Sequence, residues 1–300
     1  MTIPARVEIV EVGPRDGLQN ESLLLHVADK AELIELLARA GLIRIEAGSF
    51  VSPAAVPQMA STDELFRRLG ARPGLRLSAL VPNLQGLTAA LSAGVREIAV
   101  FAAASETFSH KNINCSIAES IERFAAVVAE AIRRGVPARG YISCALGCPY
   151  EGEIAPRKVA VLARELRGIG CGEISLGDTI GVGTPLRTRR LVETVAGEIG
   201  LAPVAVHFHD TYGQALANIF ACLESGVSIV DASVAGLGGC PHAPGARGNV
   251  ATEDVVYMLN GMGVETGIKL KAVLEAGAFI SKRLGRLPSS SMGRAFTAKA

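Results

Sequence analysis

Short apolar runs rich in β-branched residues alternate with longer amphipathic runs along almost the whole chain. In the longer runs, apolar side chains recur near i, i+3, i+4 and i+7, which is the spacing of one helix face. The runs predicted as strands are 7–12, 43–47, 75–80, 97–101, 138–144, 173–177, 204–207 and 229–233. The runs predicted as helices are 28–40, 62–69, 84–93, 118–134, 156–169, 185–199, 214–225 and 252–259.

Eight strand–helix units at intervals of roughly 25–40 residues predict an α/β fold, a (β/α)8 TIM barrel. Glycine follows six of the predicted helices, where a left-handed residue commonly ends a helix. These glycines are Gly41, Gly94, Gly135, Gly170, Gly200 and Gly226. A doubly wound sheet is the alternative, but no GxGxxG motif opens the first unit.

The chain after the eighth unit contains one more predicted helix, over 270–284, and then a polar end over 288–300. No Pro/Gly/Ser-rich linker divides the sequence. We therefore expect a single domain over 1–300, with the barrel at about 6–262 and an additional C-terminal helical segment and tail at about 263–300.

The charge balance excludes some classes of partner. Lys and Arg number 30 against 29 Asp and Glu, so the chain lacks the basic surplus typical of nucleic-acid binding. No apolar stretch approaches the roughly 20 residues that span a bilayer, and no signal or transit pattern is seen. We therefore expect a cytoplasmic protein that binds neither nucleic acid nor membrane, with its six cysteines reduced.

Two histidines lie at the end of the seventh predicted strand. His207 and His209 are two residues apart, and side chains at that spacing point to the same face of a strand. The C-terminal strand ends of an α/β barrel carry its active site. The pair indicates a metal or catalytic site, although two structural histidines would give the same pattern.

The first predicted strand ends in Gly13-Pro14-Arg15-Asp16-Gly17. Asp16 could supply a carboxylate ligand. Arg15 could supply a permanently charged guanidinium for an anionic or enolate oxygen. The alternative is a surface ion pair in a turn.

A glycine-rich segment, 235–249, follows the eighth predicted strand, with Cys240 near its middle and Asn249 at its end. Such a loop could close over a ligand. A thiol on it, near a cation, is a candidate acid/base group, whereas an isolated cysteine is more often inert. Asn249 could cap the next helix or offer its carbonyl oxygen to a metal.

Residues from separate strand ends would together give a metal two nitrogen and two oxygen ligands: Asp16, His207, His209 and Asn249. A set without thiolates favours Mg²⁺ or Mn²⁺, while Zn²⁺ or Co²⁺ could also bind. Glu46 and Asp178 lie at the second and sixth strand ends. Either could orient Arg15 or a ligand, or be an ion-pair partner inside the barrel.

Long signatures in this chain resemble those of the 3-hydroxy-3-methylglutaryl-CoA lyases, metallolyases whose first barrel strand ends in an Arg-Asp or Arg-Glu pair. The resemblance runs from about residue 7 to residue 285, and its signatures are far more specific than a short motif. They are VEVGPRDGLQNE at 10–21, SFVSP at 49–53, GCPYEG at 147–152, SLGDTIGVGTP at 175–185 and HFHDTYGQA at 207–215. The segment 236–249 matches the family's thiol loop.

The resemblance implies a divalent-cation enzyme that cleaves (S)-3-hydroxy-3-methylglutaryl-CoA into acetyl-CoA and acetoacetate. By position it places the metal ligands on Asp16, His207, His209 and Asn249. It places the catalytic functions on Arg15, Asp16, Glu46, Asp178, His207 and Cys240, with Arg15 stabilising the enolate and Cys240 as the loop thiol. We expect Arg15 and Gln19 to bind the substrate, an acid at the mouth or a metal-bound histidine's neighbour to take the hydroxyl proton, and a homodimer or small homo-oligomer to form.

Departures from the family pattern lie near the expected mouth of the site. Ser22 stands where the family often has Lys, and His242 and Arg247 stand where the thiol loop usually has Tyr and Ser. His242 is therefore a rival proton donor. These departures bear on the acyl group and not on the metal ligands, and the alternatives are a lyase for a longer 3-hydroxy-3-alkylglutaryl-CoA or an aldolase or synthase of the same family. An inactive scaffold barrel should have lost a metal ligand or the thiol, and the sequence keeps all five.

Overall fold

Eight parallel strands close into a barrel in the order β1 to β8 in the computed structural model, which describes residues 3–239 and 248–298. The strands are Glu8–Glu11 (β1), Arg44–Ser49 (β2), Arg76–Leu80 (β3), Glu97–Ala103 (β4), Ala138–Ser143 (β5), Glu173–Asp178 (β6), Val204–Phe208 (β7) and Ile229–Ala232 (β8). The barrel closes where β1 pairs with β8, with Glu8 opposite Ile229 and Glu11 opposite Ala232. The predicted (β/α)8 barrel is confirmed, and the doubly wound alternative is wrong.

Helices follow the strands and cover the outside of the barrel. They are Val27–Arg39 (α1), Thr62–Leu69 (α2), Leu84–Ser92 (α3), Glu106–Ile113 (α4), Ile117–Arg133 (α5), Pro156–Gly168 (α6), Pro185–Ile199 (α7), Ala215–Glu224 (α8), Thr252–Gly261 (α9), Leu270–Arg283 (α10) and Ser291–Thr297 (α11). The predicted C-terminal helix is α10, which packs against α1. No helix in the described ranges is long and apolar enough to span a membrane.

Two helices differ from the sequence-based expectation. The short polar helix α4 was not predicted, and it is fixed by its ends: the Ser105 side chain accepts a hydrogen bond from Phe108 N, and Asn114 is left-handed at φ 53°. Helix α11 lies within the end predicted only as polar. Asp254 accepts hydrogen bonds from the backbone N–H groups of Ser291 and Met292, so a long-range contact starts this helix.

The apolar core lies between the barrel and the helices. Outward-facing strand residues such as Ile142, Leu176 and Val206 are completely buried, as are Leu33 and Leu37 of α1. Burying such side chains contributes about 1.5–3 kcal/mol each.

The lower interior of the barrel is filled by ion pairs. The Arg44 guanidinium lies 3.1, 3.0 and 2.8 Å from carboxylate oxygens of Glu8, Glu97 and Glu173, respectively. Above it, Arg139 Nε lies 2.5 Å from Glu173 Oε1. These side chains occupy the space that apolar layers fill in many TIM barrels, and the site is built on top of them.

Candidate metal centre and active site

Asp16, His207 and His209 converge at the C-terminal end of the barrel. Asp16 lies in a single π-helical turn, Gly13–Gly17, that follows β1. The Nε2 atoms of His207 and His209 lie 3.8 and 3.9 Å from Asp16 Oδ2. One ligand atom from each of the three residues lies within 4.8 Å of the other two, which is close enough for all three to hold one cation.

Asn249 is placed beside this cluster by the backbone. It forms an isolated antiparallel bridge with His209, and Val250 N donates a 3.0 Å hydrogen bond to Phe208 O. Asn249 Nδ2 donates to Asp16 Oδ2 at 2.8 Å. A metal binds the amide oxygen, so this side-chain amide would turn by half a rotation, which exchanges the positions of its oxygen and nitrogen.

The charges of the cluster suit a cation. Burial alone would raise the pKa of the Asp16 carboxyl, but Arg15, His207 and His209 outweigh it and hold that pKa well below its usual range. Burial, with a contribution from His207, lowers the pKa of His209 to about 4. At neutral pH Asp16 is therefore an anion and His209 a neutral imidazole. Oxygen and imidazole donors without a thiolate fit a divalent cation.

Arg15 is held between two carboxylates. Its guanidinium pairs with Asp16, and its Nη2 lies 2.9 Å from Glu46 Oε2. The Tyr141 hydroxyl donates to the same Glu46 oxygen at 2.8 Å, and the guanidinium carbon lies 5.4 Å from the centre of the Tyr141 ring. Glu46, placed by sequence at the site, thus contacts Arg15 and not the histidines.

Sequence reasoning missed three interior residues: Asp231 in β8, and Arg139 and Tyr141 in β5. The Asp231 carboxylate binds Arg139 through both of its oxygens, at 3.2 and 2.6 Å. Arg139 also donates to the Tyr141 hydroxyl at 2.9 Å. A charged residue within the apolar run Ile229-Val230-Asp231-Ala232 is the signal that could have identified Asp231.

The cluster forms one side of a cavity of ≈ 400 Å³. Much of the remaining lining is apolar and comes from the segment after β2, from β3 and β4, and from α4: Val51, Val56, Leu80, Phe101, Phe108 and Ile113. Gln19, Asn112 and Arg123 also line the cavity. Gln19 therefore lies where a substrate-binding residue would have to be.

Asp178 is not brought to the cavity with the others. It is completely buried, and its carboxylate accepts hydrogen bonds from Val182 N at 3.1 Å and Gly183 N at 2.8 Å. Burial raises its pKa to about 6. In this position Asp178 shapes the loop between β6 and α7 and does not contact Arg15.

Cys240, His242 and Arg247 lie outside the described residues. The residues on either side of that segment are at the site: Gly239 lines the cavity, and Gly248 O accepts a 2.7 Å hydrogen bond from Asp210 N.

Comparisons with known proteins agree on one family. The family model described as HMGL-like matches residues 6–280. A Pseudomonas aeruginosa protein named 3-hydroxy-3-isohexenylglutaryl-CoA/hydroxy-methylglutaryl-CoA lyase is 57% identical over 300 residues, with 100% of both chains covered.

Solved structures give the same result. The crystal structure of hydroxymethylglutaryl-CoA lyase from Pseudomonas aeruginosa superposes with a TM-score of 0.98 at 57% identity, covering 100% of both chains. An HMG-CoA lyase from Acinetobacter baumannii, solved in complex with coenzyme A and 3-methylmalate, matches with a TM-score of 0.93 at 35% identity. That match covers 98% of this chain and 97% of the other.

Proposed function

The chain belongs to the HMGL-like family, and on that premise we propose that it is a divalent-metal-dependent carbon–carbon lyase. Its proposed reaction cleaves (S)-3-hydroxy-3-methylglutaryl-CoA into acetyl-CoA and acetoacetate. The observation that carries this proposal is the convergence of Asp16, His207 and His209 beside Arg15 on one side of the cavity. The reaction needs both a cation site and a fixed positive charge at one place.

We propose that Asp16, His207, His209 and Asn249 hold Mg²⁺ or Mn²⁺. When bound, such a cation would favour ionisation of the substrate's hydroxyl, as it does for a bound water. Among the described residues that line the cavity, Asp16 is the only carboxylate. Asp16, whose carboxylate has a second oxygen, is therefore the candidate among these residues for taking the hydroxyl proton.

Arg15 would act on the thioester. In the substrate, C2 lies next to the thioester carbonyl and C3 carries the hydroxyl. As the bond between C2 and C3 breaks, the electron pair of that bond moves into the thioester and forms an enolate, while C3 becomes the ketone carbon of acetoacetate. Arg15 is always protonated and can donate to the enolate oxygen as negative charge develops there. Glu46 and Tyr141 keep its guanidinium oriented. C2 then takes a proton, for which we propose the thiol of Cys240.

The apolar part of the cavity lining favours a second substrate. Leu80, Phe101 and Phe108 give a surface that could pack against a longer 3-alkyl group, and one relative is named for an isohexenyl substrate. We therefore propose that a longer 3-hydroxy-3-alkylglutaryl-CoA is also cleaved. A homodimer or small homo-oligomer is proposed from the family resemblance alone.

A thioester-release assay tests the proposal. Purified enzyme is given a panel of 3-hydroxy-3-alkylglutaryl-CoA thioesters, with Mg²⁺, with Mn²⁺ or with a chelator, and acetyl-CoA release is measured. We expect release that depends on the metal. Release that chelation leaves unchanged would contradict the metal site, and net condensation of acetyl-CoA with a ketone would favour an aldolase or synthase.

The thiol is tested in the same assay. Cys240→Ser should lower turnover by on the order of 10²–10⁴-fold, the range of general acid catalysis, while metal content stays unchanged. Cys115→Ser is the matched control, since Cys115 is a buried thiol that does not line the cavity. Near-normal turnover in Cys240→Ser would leave His242 as the proton donor to test next.

A further inference from the structure

The two histidines of the proposed metal site differ in how their second ring nitrogen is held. His207 Nδ1 lies 3.2 Å from Asp231 Oδ2. His209 Nδ1 is buried and has no hydrogen-bond partner among the described residues. Only one of the two imidazoles therefore has its orientation and its protonated nitrogen set by a neighbouring side chain.

The other polar contacts that described residues make with Asp231 all come from donors. Arg139 donates through two nitrogens, at 3.2 and 2.6 Å, and the Ser175 hydroxyl donates at 2.9 Å. Asp231 itself is 1% exposed. Because arginine nitrogens can only donate, the carboxylate acts as the acceptor, and the remaining partner, His207 Nδ1, has to donate as well.

We propose that Asp231 is a positioning residue that keeps the proton of His207 on Nδ1 and so presents the lone pair of Nε2 to the metal. This inference rests on the proposed function, because it concerns the same cation. A carboxylate that holds the second nitrogen of a metal-binding histidine fixes its tautomer and ring orientation and makes it a stronger ligand.

The backbone makes this arrangement rigid. Arg139, Ser175, His207 and Asp231 come from four consecutive strands, β5 to β8, and His207 is directly paired with Asp231 in the barrel register. Arg139 also has Glu173 as a partner, with its Nε 2.5 Å from Glu173 Oε1. The guanidinium therefore stays paired with one carboxylate when the charge on Asp231 is removed, so an asparagine variant is a reasonable test.

Metal affinity gives the first readout. Full-length enzyme and variants are dialysed against buffered Mn²⁺, and the bound Mn²⁺ is measured. Asp231→Asn should bind Mn²⁺ about 10–100-fold more weakly than wild type. Ser175→Ala, which removes one donor to Asp231 and no charge, should weaken binding less.

Glu97→Gln is the matched control. It also removes a carboxylate from a buried arginine pair, with Arg44 at 3.0 Å, but at the base of the barrel. Mn²⁺ affinity should stay at the wild-type value in this variant. A loss equal to that of Asp231→Asn would mean that general loss of interior charge, and not the contact to His207, is responsible, and would overturn the inference.

The tautomer gives a readout independent of affinity. In ¹⁵N-histidine-labelled wild type without metal, NMR should show the His207 proton on Nδ1, whereas Asp231→Asn should populate the Nε2–H form. A wild-type proton on Nε2 would overturn the inference even if Asp231→Asn does not fold.

The outcomes separate the inference from the proposed function. If wild type retains no Mn²⁺, the proposed metal site fails and the inference fails with it. If wild type binds Mn²⁺ and Asp231→Asn binds it within about two-fold of wild type, only the role of Asp231 is wrong.

Discussion

At the scale of single residues, two negatively charged neighbours hold the side chain of Arg15 in place. Its guanidinium lies between the carboxylates of Asp16 and Glu46, and these partners raise its pKa above the usual range despite burial. A planar group with five donors can pair with both carboxylates and still face a substrate oxygen. A lysine ammonium has the same charge but not this geometry.

Arg15→Lys should therefore lower kcat by on the order of 10²–10³-fold, the cost of removing one donor from a developing oxyanion. The measurement is steady-state turnover at saturating Mn²⁺, with retained metal determined on the same sample. Arg76→Lys is the matched control, because Arg76 is half-exposed and pairs with Glu8 at the barrel base. Unchanged turnover in Arg15→Lys would show that charge alone is sufficient at this position.

At the scale of elements, the two loops of the site are packed against each other through glycine. A Cβ added at Gly17, in the turn after β1, would lie 2.6 Å from Ser233 Oγ and 2.7 Å from Leu237 Cβ. Both of those residues belong to the segment after β8 that leads to Asn249. The absence of a side chain at Gly17 therefore lets Asp16 and Asn249 approach.

Gly17→Ala should separate these loops, weaken Mn²⁺ binding and lower the free energy of unfolding by about 1–3 kcal/mol, the range for overpacked positions. Gly197→Ala is the control: Gly197 is inside α7 with no atom within 4 Å of an added Cβ, and it should stabilise the protein by up to about 1 kcal/mol. Equal metal affinity and unfolding free energy in wild type and Gly17→Ala would contradict the packing argument.

Elements are also where the sequence was most and least informative. Short apolar runs rich in β-branched residues located all eight strands, and strand topology brought His207 and Asp16 to one end. Helix α11 has a local signal, the N-cap Ser290, but its first turn is also held by Asp254, 37 residues earlier in the chain, and that contact is not visible in the sequence. Asp231 and Arg139 were missed for a related reason, since a lone charge in an apolar strand has no visible partner until the barrel closes.

At the scale of the whole molecule, two buried carboxyls connect separate segments at the C-terminal end of the barrel, and Glu253 also reaches the C-terminal segment. Glu11 accepts a 2.9 Å hydrogen bond from Val234 N, and Glu253 accepts one of 3.0 Å from Ala235 N and one of 2.5 Å from the Ser290 hydroxyl. Burial raises the pKa of each carboxyl to about 7, and hydrogen bonds only partly offset this effect. Folding therefore raises the pH at which each carboxyl loses its proton.

The raised pKa values of Glu11 and Glu253 make the free energy of unfolding depend on pH. Between about pH 4.5 and 7 the folded protein holds protons on these groups that the unfolded chain has lost, so their contribution falls as pH rises. Glu11→Gln, which mimics the protonated form, should therefore gain stability relative to wild type with rising pH, by up to about 3 kcal/mol at pH 8. Urea unfolding from pH 4 to pH 8 measures the difference.

Glu122→Gln, at an exposed position of α5, is the control for this experiment and should show no such trend. Subtracting wild type from each variant removes the opposite contribution of His209, whose lowered pKa favours folding as pH rises from about 4 to 6.5. A difference between Glu11→Gln and wild type that is constant across the pH range would show that folding does not raise the pKa of Glu11, and would contradict this argument.

The ion pairs below the site affect how substrate enters the cavity and how products leave it. Arg44 and Arg139 with their carboxylates fill the barrel beneath Tyr141. These ion pairs close the cavity at its lower end. Exposed residues near its rim, Asn112 and Arg123, come from α4 and α5. Within the residues that the structure describes, the way out for both fragments is the same rim that admitted the substrate.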